Sequence, residues 1–170
     1  QLKAFSFREY QLPKYNNKEI ASWEITSVKS SGRAGKFVED IKGGIIISTI
    51  DFNLILRYDY HKQLINFCKE NSATELEKLL NEHTIDLETK TKEGWTPLMV
   101  ASYIGSYECV KVLLDSGANP NASNLNGTTV LMYAKNNVLK TNNKKLLDLL
   151  LEYGAQTQSR DNYNKTLFDW

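Results

Sequence analysis

Apolar residues in the later part of this chain recur every three or four positions, the spacing of helices that bury one face. Leu98 to about Tyr103 predicts a short helix opened by Thr96-Pro97, because a proline at the first helical position gives up no hydrogen bond. It should end near Gly105, since glycine adopts the left-handed conformation of a helix end at least cost. Val110, Leu113 and Leu114 predict a second helix, closed by Asp115-Ser116-Gly117. The result is a helix–turn–helix unit followed by a polar loop.

The unit recurs. Gly127 to Ala134 repeats Gly94 to Ala101 after 33 residues, with Val130 in place of the proline. An earlier, degenerate copy places Leu64, Phe67, Leu76, Leu79 and Leu80 at the apolar positions. In that copy Asn71 replaces the capping glycine, Ser72 and Glu75 suggest a capping box, and His83 replaces Gly117. In the later copy Gly117 and Gly154 are 37 residues apart, and the surplus is expected as a loop extension over Asn136 to Asn143. A further unit opens at Asn162 to Phe168, with Leu167, Phe168 and Trp170 expected to cover the last helix pair.

Residues 1–60 follow another pattern. Alternation around Phe5 and Phe7, over Ile20 to Val28 with Trp23 and Ile25 on one side, and over Phe52 to Tyr58, predicts strands. Ile45 to Ile50 is a further strand candidate, while Gln11 to Asn17 and Ser30 to Gly35 have loop composition. Three or four strands are expected.

Gly94, Thr96, Pro97, Leu98, Ala101, Gly105, Val110, Leu113, Leu114, Gly117, Ala118 and Asn121, in the best copy of a unit with this period, resemble the ankyrin-repeat family. The resemblance runs from about Leu64. The expected fold is α+β: an ankyrin-type α-solenoid with a small N-terminal β-rich unit packed on the first repeat, as an end repeat needs cover. Domain bounds are expected at 1–60 and 61–170, with repeats at about 61–93, 94–126 and 127–163 and a partial copy at 164–170. The resemblance also implies that the loops before each repeat project as fingers, which with the inner helices form a concave face for another protein. By position, the first finger is Lys92, Glu93, Gly94 and Trp95, the second Leu125, Asn126, Gly127 and Thr128, and the third Asn162, Tyr163, Asn164 and Lys165. Tyr103 and Ile104, matched by Asn136 and Asn137, follow on the inner helices. Trp95, Tyr103, Ile104, Leu125 and Tyr163 are the expected apolar anchors, as aromatic anchors dominate many interfaces.

Composition narrows the alternatives. The chain has 41% hydrophobic and 24% charged residues and a net charge of +1, which gives no global field for nucleic acid or acidic membranes. Its apolar runs are too short to span a bilayer, so neither a nucleic-acid partner nor membrane insertion is expected. Cys68 and Cys109 fall in different predicted helices and read as buried thiols. His61 and His83 lack zinc-ligand spacing, and His83 suits a helix C-terminus. Gly32-Arg33-Ala34-Gly35-Lys36 lacks the spacing of a phosphate loop, and Lys140 to Lys145 reads as a solvated loop. No catalytic set, metal site or cofactor is expected. The expected function is a non-catalytic interaction module, of the kind found in bacterial immunity proteins or effectors. The alternatives are a regulatory fragment of an enzyme whose catalytic domain precedes Gln1, or a ligand-binding β domain with repeats as scaffold. Gln1 is not a methionine, so a trimmed leader, a preceding domain or a cut end is allowed for, and the compartment is left open between cytoplasmic and exported.

Overall fold

The structure, a computed structural model, describes the backbone of residues 14–15, 18–26, 37–40, 44–48 and 53–58, and Asp59–Asp169 in full. The chain divides into two units, Gln1–Gln63 and Leu64–Trp170.

The first unit contains β1 (Lys14–Tyr15), β2 (Lys18–Thr26), β3 (Phe37–Asp40), β4 (Gly44–Ser48) and β5 (Asn53–Tyr58). They form one sheet in the order β1-β2-β5-β4-β3, with every neighbouring pair antiparallel. Trp23 lies opposite Leu56 and Ile25 opposite Leu54, and Ile46 of β4 opposite Ile55. Two elements differ from the sequence reading. β1 falls where loop composition was seen, and β3 was not anticipated, because Glu39 and Asp40 end it without an apolar alternation. Phe5, Phe7, Val28, Ile50 and Phe52 lie outside the described residues.

The second unit is built from helix pairs: α1 (Tyr60–Glu70), of which residues 64–70 fall in this unit, with α2 (Ala73–Glu82), α3 (Pro97–Ile104) with α4 (Tyr107–Asp115), and α5 (Val130–Thr141) with α6 (Lys145–Glu152). A 3-10 turn, Leu167–Asp169, follows. First helices stack on first helices, as α3 on α5, and second on second, as α2 on α4 and α4 on α6. Leu98, Leu113, Leu131 and Leu150 are all buried to within about 1%. They share the continuous interior that such a stack requires, since a repeat buries its apolar face only against its neighbours.

The helix ends repeat their chemistry. The Thr96 hydroxyl accepts from the Met99 N–H at 3.4 Å, and Thr129 accepts from Met132 at 3.4 Å. Each supplies an acceptor to a donor that the first helical turn leaves unpaired. Gly105 (φ 87°), Asn71 (φ 55°) and Asn142 (φ 54°) take the left-handed position at the first-helix C-termini. Asparagine substitutes there because its short polar side chain tolerates that conformation.

Four expectations at helix level are corrected. The Ser72 side chain makes no capping bond to α2, so the Ser72/Glu75 pair is not a capping box. His83 is extended, at φ −138°, whereas Gly117 and Gly154 are left-handed at 92° and 84°; the first repeat therefore leaves its second helix by a different path. The surplus after Ala134 is not a loop. α5 has 12 residues against 8 in α3, so the four extra residues add one helical turn, which no glycine or proline interrupts before Asn142. Finally, Leu167 is buried but Phe168 is 73% exposed, so of these two side chains only Leu167 covers the array, while Trp170 lies outside the described residues.

Candidate functional site

The second, third and partial last repeats are each preceded by a turn held in one way. Thr91 N–H donates to the Trp95 carbonyl at 2.9 Å, Asn124 to Thr128 at 3.0 Å, and Asp161 to Lys165 at 2.9 Å. Within these turns Gly94, Gly127 and Asn164 return a bond to the first residue, and all three have positive φ. The first residue's side chain completes each tip. Asn124 Oδ1 accepts from the N–H groups of Asn126 and Thr128 at 2.9 and 3.0 Å, and Asp161 Oδ1 accepts from Tyr163 and Lys165, both at 2.9 Å. Thr91 Oγ1 accepts from Trp95 at 3.3 Å. These are the side-chain-to-backbone bonds by which Asn, Asp and Thr set turns. The sequence reading passed over Thr91, Asn124 and Asp161, although each lies three residues before its left-handed Gly or Asn.

The fingers also bond to one another. Asn162 N–H donates to the Asn126 carbonyl at 2.9 Å and its amide to Leu125 O at 3.1 Å. Lys90 Nζ donates to Ser123 O at 2.7 Å. The tips are thus fixed in register with the stack beneath them.

At their base sits an aromatic cluster. Trp95 lies 4.5 Å from Tyr133, centroid to centroid, and 5.3 Å from Tyr103, which meets Tyr133 edge-on at 5.9 Å. Tyr133 is buried, and its hydroxyl accepts from Asn124 Nδ2 at 2.9 Å, tying the second finger to the cluster. Burial pushes the Tyr133 phenol up from its ordinary range, partly offset by the Asn124 bond. Tyr133 was not singled out in the sequence, since it follows the apolar run of its helix and reads as core.

The candidate residues divide into three groups. Tyr103, Ile104, Leu125 and Tyr163 are exposed, at 44%, 43%, 70% and 72%, and Lys92, Glu93, Asn126, Asn162 and Lys165 are exposed as well. Asn136 and Asn137 are half-buried, and the Asn137 amide donates to Ile104 O at 3.4 Å. Trp95 and Thr128 correct the expectation. Trp95 is only half-exposed because it packs against two tyrosines, and Thr128 is buried with its N–H spent inside the turn.

Chemistry elsewhere is sparse. Cys68 and Cys109 are free and buried. Burial, with the neighbouring Cys109, pushes the Cys68 thiol up; burial and then Glu108 raise Cys109. Among the described residues no His, Cys, Asp and Glu cluster could hold a metal ion, and no helix is long and apolar enough to cross a membrane. An open cleft at the end of α2, lined by His83, Ile85, Leu87 and Ser116 among others, gathers no such cluster.

A family model described as ankyrin repeats in three copies matches residues 46–124 and 64–161, more than half of the chain. The first match reaches back over β5, where the backbone is a strand. An ankyrin repeat protein of Acanthamoeba polyphaga mimivirus is 30% identical over 145 residues, covering 72% of this chain and 25% of that protein. Ankyrin repeat domain-containing protein 13B of Homo sapiens is 37% identical over 83 residues, 49% of this chain and 13% of the relative. Ankyrin repeat domain-containing protein 29 of Danio rerio is 50% identical over 46 residues, 27% and 15% respectively. The chain therefore spans about a quarter or less of the length of these relatives. Helix pairs on a 33-residue period, turns with one bonding scheme and the family match have a single reading: the chain belongs to the ankyrin-repeat family.

Proposed function

We propose that this chain is a non-catalytic interaction module that offers its fingers and helices α3 and α5 to a partner protein. One observation carries the reading: Tyr103, Ile104, Leu125 and Tyr163 stand exposed on a backbone whose turns are bonded internally and to each other. Apolar groups on a frame already in place lose little conformational freedom on binding. Exposed clusters of such groups mark interaction sites more often than exposed single ones do.

The test is a photo-crosslinking residue placed at Tyr103 or Leu125, with Lys78 and Lys111 on the second helices as controls, in extracts of the native source. Cross-linked species are expected from the first pair only. Equal yields from the controls would remove the proposed face. A neutralising role of the immunity or effector type and the control of a domain elsewhere in a longer polypeptide differ in where the partner comes from, and the mass of the cross-linked species separates them. That the strand unit covers the first repeat is likewise a proposal. It expects deletion of residues 1–58 to lower the melting temperature of the repeats, and an unaltered transition would refute it.

A further inference from the structure

Exposed charge is unevenly distributed over the repeats. On the fingers and the residues Lys90 and Arg160 that lead into them, on α3 and α5 and in the terminal 3-10 turn, the exposed ionic groups are Lys90, Lys92, Lys140, Arg160 and Lys165 against Glu93 and Asp169. On α2 and the loop after it they are Glu75, Glu77, Glu82, Asp86 and Glu88 against Lys78. The near-zero charge of the whole chain conceals this separation.

The extra turn of α5 carries one of these cations to the apolar part of the face. Lys140 lies one turn beyond Asn136 on the same side of the helix, and its Nζ is 5.3 Å from the centre of the Tyr103 ring. In α3 the equivalent stretch has already ended at Gly105, so a copy of the standard period would have no residue there. Tyr103 and Ile104 remain 44% and 43% exposed beside that ammonium. A cation on a ring face keeps its outward N–H groups available. A carboxylate reaching it at a partly desolvated ring is held more strongly than at an open surface.

We propose that the finger face takes an acidic peptide segment of the partner, with an apolar side chain against Tyr103 and Ile104 and neighbouring Asp or Glu carboxylates directed to Lys140, Lys92 and Lys165. This rests on the finger face being the binding face. The positive potential speeds encounter with such a segment and rejects basic ones. A nucleic acid fits less well, because the face of the exposed Tyr103 ring already carries Lys140, the neighbouring Ile104 and Leu125 offer no stacking platform, and the exposed Glu93 and Asp169 carboxylates repel phosphates.

The experiment selects a phage-displayed random peptide library on the full chain. Recovered peptides are synthesised with a fluorescent label, together with versions in which Asp and Glu become Asn and Gln, or Lys. Affinity is read by anisotropy, beside a labelled single-stranded oligonucleotide. Peptides that lose affinity to Tyr103→Ala and Ile104→Ala should be rich in Asp and Glu next to large apolar residues. Their lysine versions should bind about tenfold more weakly or worse, as like charges are then opposed. Lys92→Glu, Lys140→Glu and Lys165→Glu should each weaken the acidic peptide by about threefold or more, while Lys78→Glu and Lys111→Glu leave it within about twofold, and added salt should weaken it further. Unchanged thermal unfolding of the variants excludes misfolding as the cause. Finger-face peptides that bind equally in neutral or lysine form would overturn the charge assignment while leaving the binding face standing. Peptides indifferent to Tyr103→Ala and Ile104→Ala would overturn the face itself. An oligonucleotide that outcompetes every peptide, or a selection that returns no finger-face ligand, counts against the acidic segment.

Discussion

The second and third repeats start from nearly the same sentence of residues, Gly94 to Ala101 and Gly127 to Ala134, yet present different surfaces. Both begin with a threonine cap, both bury the following apolar run, and both end the first helix in a left-handed residue. They part at that end. Gly105 stops α3 after 8 residues, whereas α5 continues to 12 and is stopped by Asn142. The added turn leaves the seam unaltered, with Leu113 and Leu150 both fully buried, and exposes Leu139 and Lys140 instead. A repeat protein can therefore change what it displays without changing how it stacks, provided that the insertion is one helical turn and the capping residue moves with it.

The largest effect should come from the seam common to both copies. Leu113→Ala and Leu150→Ala are each expected to cost about 2–5 kcal/mol in urea unfolding, the loss of burial plus an unfilled cavity. If either costs under about 1 kcal/mol, that copy's second helix is not packed as described.

The two helix ends differ next. Gly105→Ala should cost about 1–2 kcal/mol for the left-handed backbone, and more than Gly117→Ala. A Cβ at Gly105 would lie 2.2 Å from Asn137 Nδ2, while Gly117 has nothing within 4 Å. Equal losses by thermal unfolding would show that Asn137 simply swings aside.

Alkaline pH offers a smaller perturbation. The Cys68 thiol is raised in the folded state, so its stabilisation is complete below its unfolded value of 9.0 and is lost as pH rises above it. At one unit above, Cys68 alone should remove about 1.4 kcal/mol. A urea midpoint unchanged from pH 7 to pH 10 would contradict its burial. Smallest of all, excision of Val138–Thr141 restores the standard period and should cost less than about 1 kcal/mol, because the stretch holds no fully buried side chain and leaves Asn142 to cap the shortened helix. A large loss would make the added turn a support for the stack instead of a display.

Much of the finger face was legible because turns are local. Gly94, Gly127 and the Asn162–Lys165 segment were placed by the period and by the ankyrin resemblance carried over position by position, and one left-handed residue with one side-chain acceptor completes such a turn within five residues. Trp95 and Thr128 were misjudged for a different reason: the exposure of Trp95 depends on Tyr103 and Tyr133, which the chain brings to it from two helices, and Thr128 is buried with its N–H bonded to Asn124. Lys140 was assigned to a loop because polarity was read in place of the absence of a helix breaker between Ala134 and Asn142.

By itself, then, the amino-acid sequence determined the period, the two ends of α3, the left-handed Asn71 and the leucine seam, since these depend on contacts within a turn or on apolar spacing that admits one buried face. Only the tertiary structure decided which aromatic groups bury one another and where the extra turn carries Lys140. Both depend on residues distant in the chain meeting at distances that no local preference encodes.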